Sequence, residues 1–556
     1  MDHPPPPFPN LQKLAEGDSP PQGPKFTPDW STVHPEQKWH ILWHQKRFTL
    51  WALYSAIGGV MFGFDFGLAG TLTALPAFQR VYGKPYASQS SGYLVPANYQ
   101  SGWAGISMGG LIVGVLLGGQ LLERLGRRHS LAMGAGLTGI GVGIQLGSVE
   151  WKLFLGGRGV AGRLPIGFGL ALTEFPVWIG ENARDELRGL YLCLINGSIV
   201  LGQSALAWCA KGTSAIEGVW SYRALIVLQF VFVVILVGGY PFYPESPHYL
   251  LSKDQTAKAT KALTQIHGSG DPSLIDAELS RISANVRSSK EVQASAAQKG
   301  PLLLQCFRGT NLKRTAIAIL PVAAQQLIGA PFVLGYVTYF LELIGITEYF
   351  IVSTVLYAVM LLANISAFFF IETAGRRPLI VYGTVILTLL LILMGIVGYI
   401  SMSAAKWAVV VLIFLWSIVF QLTLGAIGFA IGSEISSLPL RASTQSIVGV
   451  TQGFMGWLVG FISPYLINPD AGNLGAKVGF VFAGFGVPLC VAFWFLIPET
   501  KGLGFDDMDY LFARKVPCRR FSEEIRQRRA AEVPATLDKE KGGRTGEAQP
   551  VVQVEV

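Results

Sequence analysis

The stretch GGVMFGFDFGLAGTL, from Gly58 to Leu72, sets one acidic residue, Asp65, in an otherwise apolar run. An ionised carboxylate in hydrocarbon costs several kcal/mol, so such a group has to be paired, hydrated or protonated. Burial raises an acid's pKa and a nearby cation lowers it. An acid balanced between the two can take a proton from one side of a membrane and release it on the other. The plainer role is a fixed hydrogen-bond acceptor holding the Gly63–Gly67 bend. Glu174 is a second acid in apolar surroundings, expected near a helix end and solvated. Charges also recur in pairs: Glu181 and Arg188 stand seven apart, and so do Glu434 and Arg441. An isolated exposed pair is weak, so only a partly buried network of such groups could gate a passage.

The elements that must position these groups are membrane helices. Of the 556 residues, 51% are hydrophobic and only 14% charged; soluble domains are about a quarter charged. Crossing a bilayer takes roughly 17–25 residues. Suitable runs lie at 50–73, 101–122, 130–149, 152–179, 190–212, 222–242, 315–343, 349–371, 378–401, 406–433, 446–468 and 477–497. The expected fold is an all-α membrane protein with twelve transmembrane helices. Residues 1–49 read as a disordered cytosolic arm, Pro-rich and without the apolar core of a secretory signal. Residues 243–314 read as a cytosolic linker whose segments SKDQTAKATKALTQ and DAELSRISANVRSSKEVQ form short amphipathic helices. Residues 498–556 read as a cytosolic tail, mostly disordered beyond residue 520.

One set of helix ends holds Lys46, Arg47, Arg124, Arg127, Arg128, Arg184, Arg188, Arg376, Arg377 and Arg441, together with the basic linker and tail. By the positive-inside rule these ends and both termini are cytosolic. The net charge of +8 is spread through the loops, so no nucleic-acid partner is expected. The partner implied is the lipid bilayer. The five cysteines show neither CxxC pairs nor metal spacing, so no disulfide framework, metal or cofactor is expected. Asn196 and Asn364 begin N-x-S sequons inside spans, where glycosylation is not expected. No nucleophile–base set or phosphate loop points to an enzyme.

The chain repeats itself. ERLGRR follows the second run and IETAGRR the eighth; PESP closes the sixth and PETKG the twelfth. Gly126 and Gly375, Glu181 and Glu434, and Pro244 and Pro498 recur at offsets of 249, 253 and 254 residues. Three landmarks in one order at nearly one offset indicate a duplication. The helices therefore form two pseudo-symmetric six-helix bundles, 50–242 and 315–497. A parallel repeat of this kind implies a site at the midplane between the halves, open to each side in turn.

These landmarks resemble the major facilitator superfamily, in its sugar-porter branch. GGQLLERLGRR, PVWIGENARDELRG, PESPHYLL, AAQQLIG and PETKGLGFDDMDYLF are similar to that branch's signatures, over about residues 50–515. WSYRALIVLQF, LGYVTYFLELIG, GSEISSLPLR and SPYLINPDAGNLGAKVGFVFAG resemble the fungal α-glucoside (maltose-type) permeases. The resemblance implies a proton symporter of the plasma membrane, monomeric, with a sugar and a proton as its partners. Where hexose carriers have Asn in helix 7 this chain has Pro331. Their helix-10 Gly-Pro-x-x-Trp becomes Gly425-Ala426-Ile427-Gly428-Phe429, and their helix-5 Asn-Gln becomes Asn196-Gly197. These departures disfavour a simple glucose carrier. A facilitator for a monosaccharide, polyol or other hydroxylated metabolite is the alternative, and a non-transporting nutrient sensor is the alternative of another class. Sensors of this fold favour a long signalling tail, and none is evident here.

The resemblance also assigns roles. Arg158 matches the Gly-Arg of helix 4 and is the expected partner of Asp65 in proton coupling. Pro176 follows Arg158 by 18 residues, three more than the family's spacing. Three residues turn a helix by about 300°, and the extra residues fall at RLP, 163–165. Either a bulge absorbs the turn and Arg158 faces Asp65, or the register is lost. Sugar hydroxyls need fixed donors and acceptors, and their C–H faces need flat rings. Gln325 and Gln326 offer both, with Gln203, Tyr336, Tyr339 and Phe429 as companions; the alternative for the glutamines is an interhelical hydrogen bond. The expected cytosolic gate comprises Glu123, Arg124, Arg127, Arg128, Glu181, Arg188 and Glu245, with Glu372, Arg376, Arg377, Glu434, Arg441 and Glu499 in the second half. Its pairs are expected across the halves when the cavity faces outward.

Overall fold

A computed structural model describes residues 45–528 except 90, 164–166, 184, 269–271, 299, 438, 439, 502 and 504. The arm and the end of the tail lie outside these residues, and so does the RLP insert beyond Arg163.

The first half runs α1 (Lys46–Thr73), α2 (Pro76–Tyr82), a two-stranded antiparallel hairpin of β1 (Lys84–Pro85) and β2 (Tyr93–Leu94), α3 (Ala97–Leu125), α4 (Arg127–Gly147), α5 (Trp151–Arg163), α6 (Gly167–Asn182), α7 (Asp185–Thr213) and α8 (Trp220–Gly239). The linker forms α9 (Pro247–Ser252), α10 (Thr256–His267), α11 (Pro272–Ala297) and α12 (Leu302–Gln305). The second half runs α13 (Gly309–Leu327), α14 (Ala330–Leu343), α15 (Tyr349–Ala374), α16 (Arg376–Val397), α17 (Ser403–Leu422), α18 (Leu424–Ile435), α19 (Arg441–Ile467) and α20 (Val478–Leu496). After it comes α21 (Phe505–Ala513).

Twelve spans follow when α5–α6, α13–α14 and α17–α18 each count as one span. Among the described residues nine are individually long and apolar enough to cross a bilayer, ten with the bent α3. The consecutive α5 and α6, taken together, and the helix α7 complete the set. Exposed Val231, Val234, Leu389, Leu393, Val487 and Val491 give the outer surface the apolar belt that lipid requires.

The breaks have local causes. Gly329, at φ +93°, separates α13 from α14, and Thr423 departs from helical angles (φ −122°, ψ −97°) between α17 and α18. Within the first bundle α1 and α7 cross at small residues. A Cβ on Gly63 would lie 2.0 Å from the Ile199 carbonyl oxygen, and one on Gly202 would lie 2.0 Å from that of Val60. Lipid gives no hydrophobic drive between helices, so such close backbone packing is what binds them. Across the halves α3 packs on α19, α7 on α15 and α1 on α14. The tail departs from its expected disorder beyond residue 520: residues 521–528 are helical, with Phe521 and Ile525 buried. Arg314 Nη2 holds α21 through Asp509 Oδ1 at 2.5 Å.

Candidate functional site

Asp65 lies on α1 and Arg158 on α5. The guanidinium meets the carboxylate with both terminal nitrogens, Nη1 to Oδ1 at 3.3 Å and Nη2 to Oδ2 at 3.2 Å. Arg158 Nε donates to Ser107 Oγ of α3 at 3.0 Å. Asp65 is 6% exposed and Arg158 3%, so the pair is desolvated, and its two-pronged geometry is what compensates. Arg158 is thus in register with Asp65 despite the three extra residues in the sequence. Beyond those residues Glu181 keeps its own partners, described below.

Phe62, Asp65 and Phe66 of α1, Ser107 and Met108 of α3, Arg158, and Pro331, Gly335 and Tyr336 of α14 line one cavity with Gly456 and Gly460 of α19. Both halves contribute to it. The space of about 40 Å³ accommodates a few waters beside the ion pair.

The expected sugar contacts separate into groups. Tyr336 lines this cavity, and its hydroxyl has no hydrogen-bond partner among the described residues. Gln326 is half-buried, with Oε1 beside Gly456 of the cavity wall. Gln325 instead donates from Nε2 to the Leu424 and Gly425 carbonyls at 2.8 and 3.2 Å, bracing the start of α18. That is the interhelical alternative, realised for one glutamine of the two. Gln203 is buried on α7 away from the cavity's lining, and both its amide atoms lack a partner among the described residues. Tyr339 points elsewhere than expected: its hydroxyl donates to Asn468 Oδ1 at the far end of the molecule. One turn of helix separates it from Tyr336, and the small offset in angle sends it to a different neighbour. Phe429 lies on α18, with its side chain outside the described residues.

One polar cluster was not anticipated. Gln421 Oε1 accepts from Asn196 Nδ2 at 3.0 Å and from Asn364 Nδ2 at 3.4 Å, joining α7, α15 and α17. The sequence marks both asparagines as sequons and Asn196 also as the remnant of the helix-5 Asn-Gln pair; three amides in three apolar helices are the signal for the cluster. Glu174 is likewise a correction. It is fully buried, not solvated, and accepts from Ser55 Oγ at 2.7 Å and from Tyr243 Oη at 2.9 Å. Helices α1 and α6 enclose it because the chain beyond α8 folds Tyr243 back over that site.

At the basic end the duplication is visible as the same cage built twice. In the first half Glu245 accepts from the backbone N–H of Arg127 at 2.7 Å and of Arg128 at 3.3 Å, while the Arg127 guanidinium binds Glu181. Ser246 Oγ donates to Glu181 Oε2 at 2.5 Å. In the second half Glu499 accepts from the N–H of Arg376 at 3.0 Å and of Arg377 at 3.2 Å. Arg376 Nη2 reaches Glu434 Oε1 at 3.3 Å, and Thr500 Oγ1 donates to Glu434. Each capping carboxylate sits at the positive end of a helix dipole. Gly126 (φ +88°) and Gly375 (φ +86°) make the turns, and a Cβ there would lie 2.3 and 2.6 Å from a carboxylate oxygen of Glu245 and Glu499. These groups pair within their own half, because each helix cap draws its glutamate from the same bundle, while the far end, described below, joins the halves, so the pairs expected across halves in an outward-facing state are not at issue here.

The remaining gate candidates are more dispersed. Arg128 Nη2 and Arg377 Nη2 donate to the Pro241 and Trp494 carbonyls, both at 3.1 Å. Glu123 and Arg124 are exposed. Arg441 opens α19, and the side chains of Arg188 and Glu372 lie outside the described residues. His248 Nδ1 stands 3.9 Å from Glu181, and burial lowers its pKa below 6.5.

The far end is where polar groups join the halves. Asn468 Nδ2 donates to the Val95 carbonyl at 3.0 Å, and Gln100 Nε2 donates to Asn468 Oδ1 at 3.2 Å. Asp470 accepts the N–H of Ala97 at 3.1 Å, capping α3 from the other half. Tyr349 Oη donates to the Ala74 carbonyl at 3.1 Å.

Two six-helix bundles enclosing a cavity that both line are the architecture of a membrane transporter of the major facilitator superfamily. Residues 51–512 match the family described as Sugar (and other) transporter, and the chain belongs to that family. The Major facilitator-type transporter ecdD of Aspergillus rugulosus is 29% identical, over 83% of this chain and 86% of its own. The General alpha-glucoside permease of Saccharomyces cerevisiae is 28% identical, over 86% of this chain and 77% of its own. The High glucose sensor RGT2 of the same yeast is 29% identical over 86% of this chain, which spans only 62% of that sensor. Among solved structures, a partially occluded inward open conformation of the xylose transporter XylE from E. coli superposes with a TM-score of 0.67 at 21% identity, over 83% of this chain and 100% of that one. That likeness is one of fold. The protein is a multi-pass membrane sugar transporter and not an enzyme.

Proposed function

We propose that the protein moves an α-glucoside such as maltose, together with a proton, by alternating access between its two bundles. The observation that supports this best is the two-pronged Asp65–Arg158 pair on the wall of the cavity shared with Tyr336. Protonation of Asp65 releases Arg158 from its counter-charge, so the cavity's polarity and its proton occupancy change together. Tyr336 and Gln326 bind hydroxyls beside the pair, and the Asn196–Asn364–Gln421 amides offer further donors and acceptors between the halves. The basic end faces the cytosol of a plasma membrane, both termini are on that side, and the transporter acts as a monomer. The cages at Glu181 and Glu434 steady the bundle ends during the exchange.

The test is uptake of labelled maltose and labelled glucose into a transporter-null yeast, with external pH recorded. Maltose accumulation with alkalinisation of the medium is expected. Equilibration without proton movement would replace symport by facilitated diffusion of a hydroxylated solute. Uptake of neither sugar, with intact glucose signalling, would favour the sensor reading that the likeness to RGT2 supports.

A further inference from the structure

The far end contains a carboxylate with no part in the mechanism above. Glu342 is the next-to-last residue of α14, in the second half, and is 9% exposed. Among the described residues its oxygens accept only from amides of the first half. Gln79 Nε2 of α2 lies 2.9 Å from Oε1 and 3.1 Å from Oε2, and Gln89 Nε2 lies 2.7 Å from Oε1. The direction of the Gln79 amide is set by its other contacts: Ser91 Oγ donates to its Oε1, and its Nε2 also donates to the Thr73 carbonyl at 2.8 Å. Its NH2 therefore has to face Glu342. No cation pairs with Glu342 among the described residues.

The charged and titratable groups around it are otherwise engaged or turned away. Tyr339 donates to Asn468 and Tyr349 to the Ala74 carbonyl. Tyr82 of α2 bonds Ser148, Lys84 of the hairpin lies over the Tyr99 ring, and Asp470 is held by Asn468. Arg80 and Glu348 are exposed, and Lys406 reaches Gly345.

Such a site discriminates between protonation states. A carboxylate accepts every donor pointed at it, and charge-assisted hydrogen bonds are the stronger kind. A carboxylic acid adds a hydrogen where the surroundings also offer hydrogens, so at least one contact is lost. The donors and the acceptor belong to different halves, so opening this end must part them. We propose that Glu342, Gln79 and Gln89 form a proton-sensitive latch: the carboxylate holds the far end shut, and protonation from that side releases it. By linkage, whatever opens this end also favours protonation of Glu342. This rests on the alternating-access reading and adds to it a second proton-responsive group, which sets when the cavity opens and does not carry the proton across.

The experiment places spin labels at Lys84→Cys and Thr347→Cys, with the accessible native cysteines replaced, in the full chain reconstituted in nanodiscs. Distance distributions are recorded between pH 7.5 and 5.0. The open fraction at this end should rise about tenfold as the pH falls, the size of one charge-assisted hydrogen bond. Glu342→Gln, which keeps the shape, should be open by a similar factor at pH 7.5 and flat with pH. Gln79→Glu should invert the response, since two facing carboxylates repel at high pH and share a proton at low pH. A wild-type distribution flat with pH, or a Glu342→Gln protein that titrates like wild type, overturns the latch. Asp65→Asn should retain the wild-type response here. If Asp65→Asn abolishes that response and Glu342→Gln does not, the latch fails and symport stands. If no sugar is carried yet Glu342→Gln flattens the response, the latch stands and the transport reading fails.

Discussion

Removing the charge of Asp65 should have two separable consequences. Asp65→Asn preserves volume but leaves the Arg158 guanidinium, 3% exposed, without a counter-charge, its acceptors reduced to the new amide oxygen and Ser107 Oγ. Breaking a buried pair from one side costs about 3–5 kcal/mol. At roughly 2–4 °C per kcal/mol for a bundle of this size, the unfolding midpoint should fall by on the order of 10 °C. Arg158→Gln should cost less, because the carboxyl left behind can neutralise itself by keeping a proton. The double variant, with no charge to strand, should recover much of the loss, giving a coupling energy of about 2 kcal/mol. Transport should not recover with it. A potential of roughly 100 mV supplies about 2.3 kcal/mol per charge, near fortyfold accumulation of a neutral sugar. Both Asp65→Asn and the double variant should merely equilibrate sugar in proteoliposomes under an imposed proton gradient. The measurements are thermal unfolding in detergent at fixed pH and sugar accumulation in the same preparations. Gradient-driven accumulation by Asp65→Asn would refute proton coupling through this residue. Single variants within about 0.5 kcal/mol of wild type would refute the desolvated pair.

Other outcomes follow from the same contacts. Tyr336→Phe, which removes a hydroxyl with no partner among the described residues, should leave stability unchanged and raise the KM for sugar several-fold in uptake kinetics. Gln326→Leu should act on KM, whereas Gln325→Leu should lower the unfolding midpoint, since two carbonyls of α18 lose their donor at a cost of roughly 1–3 kcal/mol. Gly375→Ala should disrupt the Glu499 cap, because its Cβ meets a carboxylate oxygen and its φ of +86° is strained for alanine; a lowered midpoint checks this. Burial of His248 lowers its folded pKa, so its contribution to stability is complete above 6.5 and is lost as the pH falls through the folded value. Proteolysis of the linker should accordingly accelerate at mildly acid pH, and His248→Gln should remove that dependence.

The duplication, the twelve spans and the importance of Asp65 were legible because each rests on local pattern: apolar run length, loop signatures, one acid in a greasy helix. Arg158 was legible by resemblance alone, and the insert at 163–165 made its direction undecidable, since three extra residues turn a continuous helix by about 300° while a bulge absorbs that turn. Gln325 and Gln326 are neighbours in sequence but about 100° apart around a helix, so which one braces α18 and which one borders the cavity depended on the break at Gly329. The far-end contacts of Asn468, Asp470 and Glu342 were invisible, because they join residues hundreds of positions apart through loops without periodicity. Glu174 was misplaced for a related reason: Tyr243, beyond the end of α8, is what closes over it.

The twin cages bear on how the chain is made. The first contains only residues up to Ser246 and the second only residues from Arg376 onward. A growing chain can thus neutralise Arg127 of its first cage before the second bundle emerges from the ribosome, without that arginine waiting for a partner still to be synthesised.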